Sequence, residues 1–82
     1  MIRVCCPAEF LRHAEALERW AEARDRAIAV LDREAGHLAD QGQMDRTLCL
    51  RSAASHLCQA ALEERRRAAR LREATAAHAH PA

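Results

Sequence analysis

The residues best suited to metal chemistry lie at the two ends of the chain. Cys5 and Cys6 are adjacent near its start, and His78 and His80 come near its end. Two thiolates and two imidazoles can bind Zn²⁺ tetrahedrally, and thiolates also bind Cu⁺. Adjacent cysteines, however, are not the spaced pair that usually chelates zinc. We therefore expect no cofactor, and a zinc- or copper-binding, redox-responsive end is an alternative hypothesis.

A second chemically capable group is the arginine-rich half of the second predicted helix. Guanidinium groups bind phosphates, so this half offers nucleic-acid binding as a further alternative. Interspersed glutamates dilute the positive field, the formal net charge is only +1, and the chain has one Phe, one Trp and no Tyr to stack on bases. A solvated helix face is the favoured interpretation. The group comprises Arg65, Arg66, Arg67, Arg70 and Arg72.

The elements that must position these residues are helices. Ala, Leu, Arg and Glu dominate the 82 residues, with two Gly and two Pro, a composition typical of long helices or coiled coils. Pro7 suits a first helical turn. The polar stretch at 40–43, with Gly42, is the best turn. We predict an all-α single domain over 1–82.

The predicted boundaries follow from these signals. Helix 1 covers about 7–40, the turn about 40–45, and helix 2 about 45–78. Asp45 is expected to cap helix 2 by accepting backbone N–H bonds. Gly36 leaves open a break in helix 1, which would give three helices instead of two.

The sharpest signal is a seven-residue repeat that places a stripe of large residues beside a stripe of small ones on each helix. The large stripe comprises Phe10, Leu17, Arg24, Leu31 and Leu38 on helix 1, and Leu50, Leu57, Glu64, Leu71 and His78 on helix 2. The small stripe comprises Ala14, Ala21, Ile28 and Ala35 on helix 1, and Thr47, Ala54, Ala61, Ala68 and Thr75 on helix 2. If the chain folds back so that Leu38 meets Leu50, the polar Arg24 of helix 1 falls opposite the acidic Glu64 of helix 2. This coincidence predicts an antiparallel hairpin of long helices. We interpret Arg24 and Glu64 as a polar core pair that sets the register.

Two helices cannot enclose a core, and a chain this short often needs a partner to bury enough apolar surface. The pattern leaves a second set of apolar side chains uncovered. We expect these to form a homodimer interface that makes a four-helix bundle, although another protein could cover them instead. The predicted interface residues are Leu11, Trp20, Ala27, Leu48 and Leu62.

The sequence therefore favours a small, non-enzymatic helical interaction module that self-associates and binds or regulates another protein. Enzymatic activity is not expected, because a two-helix rod with almost no loops supplies no pocket to organise a reacting centre. The short apolar run at the start does not resemble a signal peptide, and no stretch is long enough to span a bilayer. A cytoplasmic protein with reduced thiols and no membrane partner is expected.

Overall fold

The computed structural model describes residues 7–79, with side chains for residues 7–77. Helix α1 (Pro7–Asp40) folds back on helix α2 (Met44–Ala79) as a hairpin, which confirms the predicted all-α, two-helix architecture. The molecule is a rod of 61 × 23 × 17 Å. Within the described residues, neither helix carries a stretch apolar enough to cross a membrane.

Helix α1 continues through Gly36 without a break. A β-carbon built at Gly36 would meet nothing within 4 Å, so packing does not require a glycine there. The flanking Ala35 and Leu38 are 0% and 9% exposed. Their burial against α2 outweighs the helix-propensity cost of the glycine, which is about 1 kcal/mol.

The turn is built around Gly42, whose φ is 75°. The Gly42 N–H donates to the Ala39 carbonyl at 3.0 Å, and the Gln43 N–H donates to the Leu38 carbonyl at 2.9 Å. This is a Schellman arrangement, in which a left-handed residue satisfies the last carbonyls of a helix. Glycine suits the position because other residues are strained at positive φ.

The predicted cap at Asp45 is wrong. The first backbone bond of α2 runs from the Thr47 N–H to the Gln43 carbonyl at 3.0 Å, so Gln43 is the capping residue. The Thr47 hydroxyl also donates to this carbonyl at 2.8 Å. Asp45 instead lies in the first turn, where its carboxylate interacts favourably with the helix dipole.

The core is a thin seam made mainly by the two stripes of small residues. Their alanines are 0–6% exposed and allow the helices to approach closely. Of the large stripe, Leu17 is 1% exposed and packs with Ala14, Ala68 and Leu71. Most of the other large residues are only half-buried. The buried alanines are Ala14, Ala21, Ala35, Ala54, Ala61 and Ala68.

Candidate functional site

The hairpin has two long sides of different character, one on each flank of the seam. We call the flank that carries Glu18, Asp25, Arg65 and Arg72 the closed side, because ion pairs cross it from helix to helix. We call the opposite flank the open side, because shallow grooves follow it. The open side is defined by Trp20, Ala23, Ala27, Leu50 and Leu57.

Two interhelical ion pairs cover the seam on the closed side. Arg72 donates from Nε and Nη2 to the two Glu18 oxygens at 2.9 and 2.6 Å, and Arg65 pairs with Asp25. The bidentate bond from Arg72 holds the pKa of Glu18 below its ordinary value. The bond to Asp25 likewise raises the pKa of Arg65. These side chains are solvent-exposed, so each pair contributes little to stability.

On the open side, the one ion pair between the helices among the described residues is Arg24–Glu64, which lies in the seam and does not cover it. One groove is lined by Trp20, Ala23, Arg24, Ala27 and Leu57. Trp20 is 54% exposed, and alanines occupy the neighbouring flank positions, so the half-buried leucines beneath them stay in contact with water. A second groove lies nearer the turn and is lined by Glu34, Leu38, Asp45, Arg46, Cys49 and Leu50. A third groove, toward the opposite end of the rod, is lined by His13, Arg67, Arg70 and Leu71.

Arg24 and Glu64 lie in the floor of the open side. Arg24 Nε donates to Glu64 Oε1 at 2.9 Å, in the register expected from the sequence. Glu64 is 7% exposed, whereas the Arg24 side chain is 38% exposed and borders the groove. A buried carboxylate is therefore neutralised by a guanidinium that still faces solvent.

The five residues predicted to form one interface divide between the two sides. Trp20 and Ala27 line the same groove on the open side. Helical spacing places the other three on the closed side. Leu11 precedes Glu18 by one heptad, and Leu62 lies three residues before Arg65. Leu48 lies two heptads before Leu62, so it shares the same face of α2. All three leucines are exposed, at 36%, 59% and 47% respectively.

The predicted metal ligands fall mostly outside the described residues. Cys5, Cys6 and His80 lie beyond them, and His78 lies within α2 but its side chain is not described. In the part of the chain that the structure describes, no group of three or more His, Cys, Asp or Glu side chains could hold a metal ion. Cys49 and Cys58 are free, exposed thiols.

The arginine-rich half of α2 is partly occupied with its own hairpin. Arg65 and Arg72 bind carboxylates of α1, and Arg70 lies 3.7 Å from Glu63. Among the described residues, Arg66 and Arg67 form no ion pair. Two of the five guanidinium groups are therefore paired with carboxylates of α1 and do not present free charge to phosphate.

The closed-side ion pairs and the groove were not identified from the sequence. A signal for the ion pairs exists, because the positions next to the small stripe are acidic at Glu18 and Asp25 and basic at Arg65 and Arg72. The groove has a weaker signal, a flank of alanines beside the leucines.

No known protein family, curated protein sequence or solved structure matches this chain.

Proposed function

We propose that this protein is a non-enzymatic helical interaction module that self-associates through its open side and, once assembled, binds or regulates another protein in the cytoplasm. One observation carries the proposal: an apolar groove lies on the open side near the middle of the rod, and Trp20 stands 54% exposed beside it. A single hairpin leaves this strip in water, although covering apolar surface is the main driving force for association.

The area of the open side supports the need for a partner. From Phe10 to Leu38 the open side is about 40 Å long at 1.5 Å rise per residue. Since the rod is 23 Å across, about 900 Å² could be covered. Specific interfaces bury roughly this area on each partner.

The kind of residue on the open side also supports the proposal. Tryptophan is enriched among residues that dominate binding energy, because its large ring gains much when water is excluded. The alanines around Trp20 provide low relief, so a second helical surface could approach closely. The closed side differs, since charged pairs cross its seam.

A second protein would bind elsewhere on the assembled module. Leu48 and Leu62 are exposed on the closed side and would remain so when the open sides are covered. We assign the contact with the regulated protein to this side. A bait carrying Leu48→Ser and Leu62→Ser should keep its self-associated mass but lose a protein that copurifies with the unmodified chain.

The experiment that tests self-association is the solution mass, measured by light scattering over a concentration series, with the emission of the single tryptophan followed in parallel. A dimer of the 9.2 kDa chain has a mass of about 18 kDa. We expect that mass at high concentration, and a red shift of Trp20 emission as dilution returns the ring to water. A constant 9.2 kDa with unshifted emission would contradict the proposal.

A further inference from the structure

We propose that the partner on the open side is a second copy of this chain in one particular arrangement. Both turns lie at the same end, α1 of each copy lies against α2 of the other, and the two Arg24–Glu64 pairs join into one layer of alternating charges. This inference rests on the proposed self-association and adds its geometry.

Arg24 and Glu64 provide the starting observation. Arg24 makes one hydrogen bond among the described residues, from Nε to Glu64 Oε1. A guanidinium carries five N–H donors, so most of its capacity remains unused. Its side chain is 38% exposed and borders the groove that contains Trp20. The free edge of Arg24 therefore has room to bind a second carboxylate that arrives on the open side.

Arg24 also lies at the middle of α1 (Pro7–Asp40). Leu17 and Leu31 are each one heptad away from it, in opposite directions. Two hairpins centred on this layer would overlap along their whole length and match leucine with leucine. This overlap is achieved whether the turns lie at the same end or at opposite ends, so apolar matching does not choose between these two symmetric arrangements.

The net charges of the two helices distinguish these two arrangements. Over its helical residues α1 has eight carboxylates and five arginines, a balance of −3, and α2 has four carboxylates and seven arginines, a balance of +3. With the turns at the same end, each α1 faces the oppositely charged α2 of the other copy. With the turns at opposite ends, α1 faces α1 and α2 faces α2. Electrostatic complementarity therefore favours the same-end arrangement.

The central layer of Arg24 and Glu64 also favours the same-end arrangement. In the same-end arrangement Arg24 of one copy faces Glu64 of the other, so that signs alternate around the four groups. In the opposite-end arrangement Arg24 faces Arg24, and Glu64 faces Glu64. Because Glu64 is 7% exposed and water would be excluded further on association, like charges in contact would be strongly unfavourable.

The first test is the distance between the two turns. A nitroxide label is attached at Gln41→Cys in a chain whose four native cysteines are Ser, and pulsed electron resonance measures the label separation. We expect less than about 25 Å across a four-helix bundle. Opposite-end packing would give about 50 Å, the length of a 34-residue helix, and would overturn the inference.

The second test uses a charge-swapped variant, Arg24→Glu with Glu64→Arg, which keeps the ion pair within one chain. Mixed in equal amounts with isotope-labelled unmodified chain, random exchange would give half heterodimer by native mass spectrometry. Same-end packing sets like charges opposite each other in the heterodimer, so we expect clearly less than half. More than half would overturn the inference.

The two proposals fail in distinguishable ways. A chain that stays monomeric in light scattering removes self-association itself. A chain of dimeric mass with a long label distance or an excess of heterodimer keeps self-association and removes only the same-end geometry. The labelled chain must first show the same mass and helicity as the unmodified chain, and the label distance does not depend on whether the charge-swapped variant folds.

Discussion

The closed and open sides flank the same seam, but they differ in how far they exclude water from it. On the closed side the alanines of the small stripe are 0–6% exposed, and interhelical ion pairs cross above them. On the open side larger residues stay half-buried beside an exposed Trp20. The comparison teaches that the small stripe gives the hairpin its close contact, whereas the large stripe supplies apolar surface that one hairpin cannot cover.

The largest expected effect comes from Arg24→Leu on the open side. This change leaves Glu64, which is 7% exposed, as a buried carboxylate without its partner. Breaking such a pair from one side costs about 3 kcal/mol. Urea denaturation at one fixed protein concentration should show this loss in the free energy of unfolding.

The double variant Arg24→Leu with Glu64→Leu is the control for that change. Replacing both charges by apolar groups removes the unpaired carboxylate and should restore most of the stability. If the single variant were as stable as the unmodified chain, the Arg24–Glu64 pair would contribute nothing to the free energy of unfolding.

The next effect comes from Ala61→Leu in the seam. Ala61 is 1% exposed, so extra methyl groups must push the helices apart, and overpacking of this kind costs about 2 kcal/mol. The matched control is Ala69→Leu on the same helix, because Ala69 is exposed and surface changes usually stay within about 0.5 kcal/mol. Equal stability of the two variants would contradict the close seam.

The smallest effect comes from Glu18→Gln on the closed side. The bond from Arg72 lowers the pKa of Glu18 from 4.5. The contribution of this ion pair to stability is therefore present above that pH and is lost as the pH falls through the folded-state pKa of Glu18. The thermal midpoint should therefore drop slightly at neutral pH and match that of the unmodified chain well below pH 4.5.

Added salt and a control variant test whether the effect of Glu18→Gln comes from the loss of its charge. Added salt should shrink the difference at neutral pH, since exposed ion pairs are screened. Glu73→Gln removes an exposed carboxylate that forms no ion pair among the described residues, and it should show no such pH-dependent difference. A gap for Glu18→Gln that persists in acid would mean that its carboxylate charge is not the cause.

Much of the fold was predictable because it depends on local and periodic signals. Heptad spacing and the turn at Gly42 were sufficient for the hairpin, and the coincidence of Arg24 with Glu64 was sufficient for its register. The cap of α2 was predicted wrongly because Asp45 has the better capping side chain, whereas the helix begins from the backbone carbonyl of Gln43.

The candidate surface was predictable only in part. Exposed apolar residues could be selected from the repeat, and two of them, Trp20 and Ala27, line one groove. Their role in an interface stays a prediction. Leu11, Leu48 and Leu62 were grouped with them because hydrophobicity does not reveal which flank is crossed by ion pairs. An ion pair across a flank needs an acid from one helix and an arginine from the other, as in Glu18 with Arg72. Such pairs can be recognised only once the two helices are aligned in the hairpin.

The most direct test of the open side as the association surface compares the solution masses of Ala27→Arg and Ala29→Arg. Both alanines are exposed on α1 and both variants gain the same side chain, but Ala27 lines the groove and Ala29 does not. We predict that Ala27→Arg has the 9.2 kDa mass of one chain, whereas Ala29→Arg keeps twice that mass. A dimeric Ala27→Arg, or loss of association in both variants, would contradict the assignment of the open side.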